Sequence, residues 1–241
     1  MNFKSSEINN WYESKSGKIN KKLIVETINK LFLLSYDKNI IYVGPSLVIK
    51  KLMSENYNFN SFYISSSEGS DLNAELQKLP FKDSSVDCFV LIHSLEMDKN
   101  PHAVFREIDR VLTEDGQLIM VGFNRSSFLG LYSFLPIRSI FRNKNYIKIN
   151  RLLDWMSLFS YDIKHIFSIN KIPPIKNIKI LNYFLFLNKS PFNKINFFGN
   201  NYVILAKKKT YKFISIRNWH KQNNIILGKF SKPVIHNNYE K

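Results

Sequence analysis

Cysteine is nearly absent from this chain of 241 residues; Cys88 is the single one. An internal disulfide is therefore excluded. Cys88 sits inside the apolar run Val86 to Ile92 and reads as a small core residue. His102, His165, His220 and His236 show no spacing with cysteine or carboxylates that would build a metal site, so no metal is expected. No apolar run approaches the roughly 20 residues a membrane-spanning helix needs. The longest, Ile178 to Leu187, is interrupted by Lys179 and Asn182. The N-terminus lacks the apolar core of a secretory signal, which makes the cytoplasm the default address. Neither an internal repeat nor a low-complexity linker is present.

Acidic residues are also scarce. Asp and Glu number 19 against 35 Lys and Arg, giving a formal net charge of +16. A nucleic-acid or anionic membrane partner is one reading of that excess. The favoured reading is a drift of the whole chain toward Lys, Asn, Ile, Phe and Tyr. The lysines are scattered, and no RNA-binding motif of the aromatic-Gly type is found. Only Lys207-Lys208-Lys209 and the last thirty residues are locally basic.

What is present suits one domain with additions, or at most two small ones. Hydrophobic residues make up 44% of the chain, enough for a sizeable core. Residues 1–17 are polar around Trp11 and Tyr12 and are expected to form an irregular lead-in. Apolar spacing predicts a helix over Lys18 to Leu34, supported by an i,i+4 pair of Glu26 with Lys30. Ile40 to Val43 reads as a buried strand that ends in a turn at Gly44-Pro45, and Ser46 is placed to cap the next helix. Ser61 to Ser65 is a second strand, with a loop from Ser65 to Asp71.

The block from Leu79 to Asn124 carries the strongest signal. Val86 to Ile92 is almost wholly apolar, as in a parallel strand covered on both faces. Asn100 and Pro101 open a helix whose stripe is Val104, Ile108, Val111 and Leu112, with Arg106, Glu107, Asp109 and Arg110 on the wet side. Gly116 is expected to end it, and Gln117 to Val121 is the next strand. Ser126 to Pro136 reads as an apolar loop or short helix. Asn150 is expected to cap a helix over Arg151 to Phe159. Tyr161 to Ile169 reads as a strand, Ile175 to Leu187 as helical, and Tyr202 to Ala206 as a last strand. A further strand is conceivable in the basic end, 210–241. The alternation implies an α/β, doubly wound sheet with ligands at the carboxyl ends of its strands, closed by an antiparallel pair.

Leu79-Pro80-Phe81, Ser85-Val86-Asp87, His93-Ser94-Leu95-Glu96, Pro101, Arg106-Glu107, Arg110-Val111-Leu112 and Asp115-Gly116-Gln117-Leu118 follow one another in a telling order. This series resembles the class I S-adenosylmethionine-dependent methyltransferases, in particular the type 11 methyltransferase domain. Phe123-Asn124-Arg125-Ser126-Ser127, the Trp11 to Gly17 lead-in and the Gly199 to Lys207 stretch are similar to a narrower bacterial branch of that family.

The resemblance spans roughly residues 10 to 209. It implies a three-layer, Rossmann-like, seven-stranded sheet, mostly parallel with an antiparallel last strand. The domain would cover 1–209, with the lead-in 1–17 and an insert 125–150, followed by the basic extension 210–241.

The implied cofactor is S-adenosylmethionine. Gly44, Ser46, Ser65, Glu75, Leu76 and His93 are its expected binding residues. His93 and Asn124 are the expected catalytic residues at adjacent strand ends, and Glu96 follows in the same loop. His93 reads as a base or as a group that orients the acceptor.

The chain departs from the family at two places. Tyr42 replaces the acid that usually ends the first strand, and of the glycine loop only Gly44 remains. At the end of the second strand, Ser65 and Ser66 stand where an acid would bridge the ribose hydroxyls. The readings are thus a methyltransferase with a small-molecule or macromolecular acceptor, a catalytically inactive binding module on the same fold, or a nucleic-acid-binding or RNA-methylating protein, the least favoured. The acceptor and the oligomeric state are open at this stage.

Overall fold

In the computed structural model the described residues are 4–32, 39–56, 60–65, 70–127, 129–130, 140–141, 146–170 and 199–209. The expected helix near Ile175 to Leu187, most of the apolar stretch after Ser127 and the basic end from 210 lie outside them. The chain's contacts divide it into Met1–Thr210 and Tyr211–Lys241. Every described helix and strand belongs to the first unit.

The elements run α1 Ser5–Glu13, α2 Lys15–Phe32, β1 Asn39–Val43, α3 Ser46–Glu55, β2 Asn60–Ser65, β3 Leu72–Asn73, β4 Val86–Ile92, α4 Ser94–Met97, α5 Pro101–Val111, β5 Leu112–Phe123, α6 Ile149–Leu158, β6 Tyr161–Ile169 and β7 Asn201–Lys208. They build one seven-stranded sheet in the order β3-β2-β1-β4-β5-β7-β6. Neighbours from β3 to β5 pair in parallel, whereas β7 is antiparallel to both β5 and β6. The chain turns outward from β1 toward β2, and inward again at β4. That reversal of direction opens a crevice at the carboxyl ends of β1 and β4.

The apolar strands explain the two layers. Alternate side chains leave the sheet on opposite faces. Ile40, Tyr42, Cys88, Val90 and Ile92 join Ile24, Ile28, Val48 and Leu52 on one face. Ile41, Val43, Phe89 and Leu91 join Val104, Ile108, Leu152 and Trp155 on the other. Each fully buried Ile, Val, Leu or Phe contributes roughly 1.5–3 kcal/mol.

The lead-in is not irregular. Ile8 and Tyr12, four residues apart, both turn into the core and fix Ser5–Glu13 as a helix. The Glu7 carboxylate accepts from the Lys4 N–H at 3.4 Å, which closes its first turn. Gly17 then lets α2 fold back on α1, because a Cβ there would lie 2.0 Å from the Trp11 carbonyl oxygen.

Four further expectations are corrected. Ser46 does not cap α3; Pro45 holds that place, with no side-chain hydrogen bond, and Ser46 is the first helical residue. Asn150 lies inside α6, whose N-cap is Lys148. Gly116 does not end α5; the helix stops at Val111 and the strand begins at Leu112, running through a left-handed Asp115 with φ of 63°. Glu26 pairs with Lys22 at 3.8 Å rather than with Lys30. The Asn100 cap stands: its side chain accepts from the Ala103 N–H at 3.2 Å, with Pro101 in the first turn. Within the lysine triplet, Lys207 meets Asp115 at 3.3 Å and Lys208 meets Asp109 at 3.2 Å. Among the described residues no helix is long and apolar enough to cross a membrane.

Candidate functional site

Gly44 ends β1 with φ of 145°, a conformation side chains rarely adopt. A Cβ there would lie 2.2 Å from the Ile92 carbonyl oxygen. The close approach of β1 to β4 therefore demands glycine before any ligand is considered. Tyr63 secures the turn by donating its hydroxyl to the Gly44 oxygen at 3.1 Å.

Beside Gly44 opens a cleft of about 530 Å³. It falls within the range of about 300–1,000 Å³ typical of small-molecule sites. Val43, Gly44, Ile64, Ser65, Glu75 and Leu76 form much of its wall, with Ser94, Met97 and Lys99 across from them. Tyr42 does not fill it. That side chain leaves β1 on the opposite face from Val43, is fully buried, and meets Phe32 edge-on at 6.3 Å. Neither Pro45, Ser46 nor Leu47 borders the cleft.

The wall at Glu75 to Leu79 is held from behind by α5. Glu107 accepts from the Leu79 N–H at 2.8 Å. Arg110 donates to the Leu79 oxygen at 3.2 Å, the Phe81 oxygen at 3.0 Å and the Glu107 carboxylate at 2.6 Å, and pairs with Asp83. The Arg110 guanidinium holds the Glu107 carboxyl below the usual carboxylate range. These two residues, read from sequence as the wet side of a helix, are a clamp on the Leu79-Pro80-Phe81 backbone. Gln77 is tied across the rim to Asp98 at 2.8 Å.

At the end of β4, His93 takes a left-handed conformation with φ of 53° and turns its ring inward. The imidazole is fully buried and stacks on Phe123 with centroids 3.7 Å apart. Its Nε2 lies 2.7 Å from the Tyr12 hydroxyl of α1 and 3.4 Å from Asn201 Nδ2 of β7. With the Asn201 amide donating, Nε2 is an acceptor and the ring proton sits on Nδ1, which has no partner among the described residues. Burial pushes the His93 pKa down to about 3, so the ring is neutral at any physiological pH. Burial, and then the nearby Glu96 charge, push the Tyr12 phenol well up.

Glu96 is buried one helical turn further on. Its carboxylate accepts from the Phe123 N–H at 2.9 Å, yet burial pushes its pKa up to about 7. Gly122 makes room for it: a Cβ there would lie 2.7 Å from the Glu96 oxygen and 2.1 Å from the Tyr202 hydroxyl. Gly122 and Tyr202 face each other across β5 and β7.

The candidate residues fall into three groups. Gly44, Ser65, Glu75 and Leu76 border the cleft together. His93 lies buried behind it. Asn124 borders a second cleft of about 370 Å³, with Arg125, Lys148, Phe167 and Tyr202. Its amide is already bound, donating to the Gly199 oxygen at 3.0 Å and accepting from the Ser126 N–H at 3.0 Å. Tyr12 and Asn201 were given no role from sequence, and Ser94, Glu107 and Arg110 entered there only as members of the family-like series. Only the four-residue spacing of Ile8 and Tyr12 could have signalled one of them. Among the described residues no group of three or more metal-ligating side chains comes together.

The cleft fits a nucleoside with a charged tail. Leu76 supplies an apolar face, Glu75 a carboxylate acceptor, and Ser94 a buried hydroxyl with no hydrogen-bond partner among the described residues. An orphaned buried hydroxyl in a cleft wall is a place for a ligand's polar group.

Comparison with known proteins agrees with this geometry. Residues 31–120 match the family described as a methyltransferase domain. The chain is 30% identical over 172 residues to the uncharacterized protein YafS of Escherichia coli, covering 68% of this chain and 69% of that one. Its fold is similar to a SAM-dependent methyltransferase from Archaeoglobus fulgidus, with a TM-score of 0.58 at 13% identity over 78% of this chain and 94% of that one. A putative methyltransferase complexed with the Trm112 activator of Haloferax volcanii gives 0.58 at 13% identity, over 85% and 98% of the two chains. The [4+2]-cyclase SpnF gives 0.54 at 13%, over 78% and 80%. These structures show the shared fold, and the match over residues 31–120 gives the family. The chain is a member of the type 11 methyltransferase domain family, class I S-adenosylmethionine-dependent methyltransferases whose cofactor is S-adenosylmethionine.

Proposed function

We propose that the protein transfers a methyl group from S-adenosylmethionine to an acceptor that approaches over the carboxyl ends of β4 and β5. The observation that carries this reading is the open cleft beside Gly44, bounded by Ser65, Glu75-Leu76 and Ser94. When bound there, the cofactor supplies a methyl group already activated by its sulfonium. The chain's task is then to hold two partners in line, and proximity provides most of the acceleration.

Gly44 and Ser65 would meet the cofactor's sugar and tail, while Glu75 and Leu76 would meet its base. His93 fits a positioning role better than that of a base. A ring with a pKa near 3 is too weak a base to take up a second proton at neutral pH, but it fixes the Tyr12 hydroxyl at 2.7 Å and so anchors α1 over the strand ends. Asn124 would border the acceptor's path, held rigid by its bonds to Gly199 and Ser126.

A second reading, a binding module without transfer, is favoured by one observation. Tyr42 stands in place of an acid and the glycine loop is reduced to Gly44. SpnF, a [4+2]-cyclase, shares the fold, and fold alone does not set chemistry. Incubation with S-adenosylmethionine labelled on the methyl group, against separate small-molecule, protein and RNA fractions, tests both. Label in one fraction supports transfer and names the acceptor class. Cofactor binding without label in any fraction would leave the binding module.

A further inference from the structure

The start of α3 is poorly able to do what a glycine loop and helix N-terminus do for an anion. Such a site works through free backbone N–H groups aimed at the ligand. Here Pro45 has no N–H. The Leu47 N–H points to the Asn9 side-chain oxygen of α1 at 3.4 Å. The Val48 and Ile49 N–H groups turn back onto the Pro45 oxygen at 3.1 and 3.2 Å. Ser46 does not border the cleft. The carboxylate of the cofactor's amino-acid end therefore needs another partner.

That partner is on α1. The contact of Asn9 with Leu47 lays α1 directly over the turn that follows β1. Ser5 is four residues earlier on the same helix face, a rise of about 6 Å. Lys4 and Ser5 both border the cleft beside Gly44. They bring a cation, a hydroxyl and the positive end of a nine-residue helix to one place. Lys4 and Lys99 are the cationic residues among the described walls of the cleft. Ser94, 1% exposed, borders the same cleft. No described residue satisfies the Ser94 hydroxyl, and a ligand ammonium is a donor it can accept from.

We propose, on the basis of the cofactor reading above, that α1 replaces the glycine loop: Lys4 and Ser5 hold the carboxylate of the cofactor's amino-acid end, and Ser94 receives its ammonium. The same helix carries Tyr12 to His93, so grasping the cofactor's tail also seats α1 over the strand ends. This accounts for the loss of the loop glycines in a chain that keeps an open cleft. A loop that no longer binds the tail is free to become an ordinary proline-capped turn.

Calorimetric titration with two ligands tests it. S-adenosylhomocysteine has the amino-acid tail, whereas 5′-methylthioadenosine shares its adenosine and thioether and lacks the tail. The wild-type chain is expected to bind the first at least about tenfold more tightly, in keeping with charge-assisted hydrogen bonds. Lys4→Ala should weaken S-adenosylhomocysteine about tenfold and leave 5′-methylthioadenosine unchanged, and Lys4→Arg should restore most of the loss. Ser94→Ala should weaken only the ligand with the tail. Equal loss of both ligands in Lys4→Ala, or no loss of either, overturns the inference while leaving the cofactor reading intact. A wild-type chain that binds neither ligand overturns both.

Discussion

Glu96 offers the sharpest prediction about stability. It is 3% exposed, and burial lifts its pKa from the ordinary 4.5 to about 7. Between those values the folded chain holds a proton that the unfolded chain has released. Stability must therefore fall as pH rises through this window. At about 1.4 kcal/mol per tenfold in proton affinity, the loss between about pH 5 and about pH 8.5 is on the order of 2–3 kcal/mol. Glu96→Gln removes the titration but keeps an oxygen that can accept from the Phe123 N–H. The variant is expected to match the wild type near pH 5 and to exceed it by on the order of 2–3 kcal/mol near pH 8.5. His93 has the opposite sign. Its pKa is lowered from 6.5 to about 3, so its contribution is complete above about 6.5 and is lost as pH falls. It is present in both proteins and cancels in the difference. Urea unfolding at the two pH values measures it directly. A variant less stable by the same amount at both would refute the assignment of a costly buried carboxylate.

Further outcomes follow from packing at the site. Gly44→Ala places a Cβ 2.2 Å from the Ile92 oxygen at a positive φ, so it should cost about 3 kcal/mol or more and abolish S-adenosylhomocysteine binding; an unchanged urea midpoint contradicts this. Tyr12→Phe removes the 2.7 Å hydrogen bond to a buried imidazole and should cost about 1–3 kcal/mol by thermal or urea unfolding. Arg110→Ala frees the Leu79 and Phe81 carbonyls behind the cleft wall, and its main effect should be a several-fold rise in the Kd for S-adenosylhomocysteine with secondary structure intact by circular dichroism. Equal binding by that variant would show that the clamp does not shape the cleft.

Much of the central sheet was legible in the sequence, and the reasons are physical. Val86 to Ile92 is apolar but for Asp87 because both of its faces are covered, and the observed strand has those bounds. The α5 stripe and the Asn100-Pro101 start announce themselves through spacing and capping. By contrast, α1 buries only Ile8 and Tyr12 among polar neighbours, so its helical period is too faint to read. Thr113 to Gly116 has the composition of a turn and lies in a bulge of β5, between the Val86–Leu112 and Cys88–Gln117 pairs, with no partner on β4.

At the site, Gly44 was visible because a glycine after an apolar run marks a tight turn. The replacement of an acid by Tyr42 does not close the cleft, because the alternation of β1 turns that ring to the other face. Glu107 and Arg110 were misplaced because a helical wheel shows which side is polar. It does not show which distant carbonyls that side will reach. The partnership of Tyr12, His93 and Asn201 joins residues 81 and 108 positions apart, beyond any local signal.

An open cofactor cleft beside Gly44 is the central claim, and titration of the purified wild-type chain with S-adenosylhomocysteine tests it most directly. A saturable one-to-one isotherm, lost in Gly44→Ala and weakened when Glu75 or Leu76 is altered, is the predicted result. The absence of heat at millimolar ligand, from a chain shown to be folded, would contradict it.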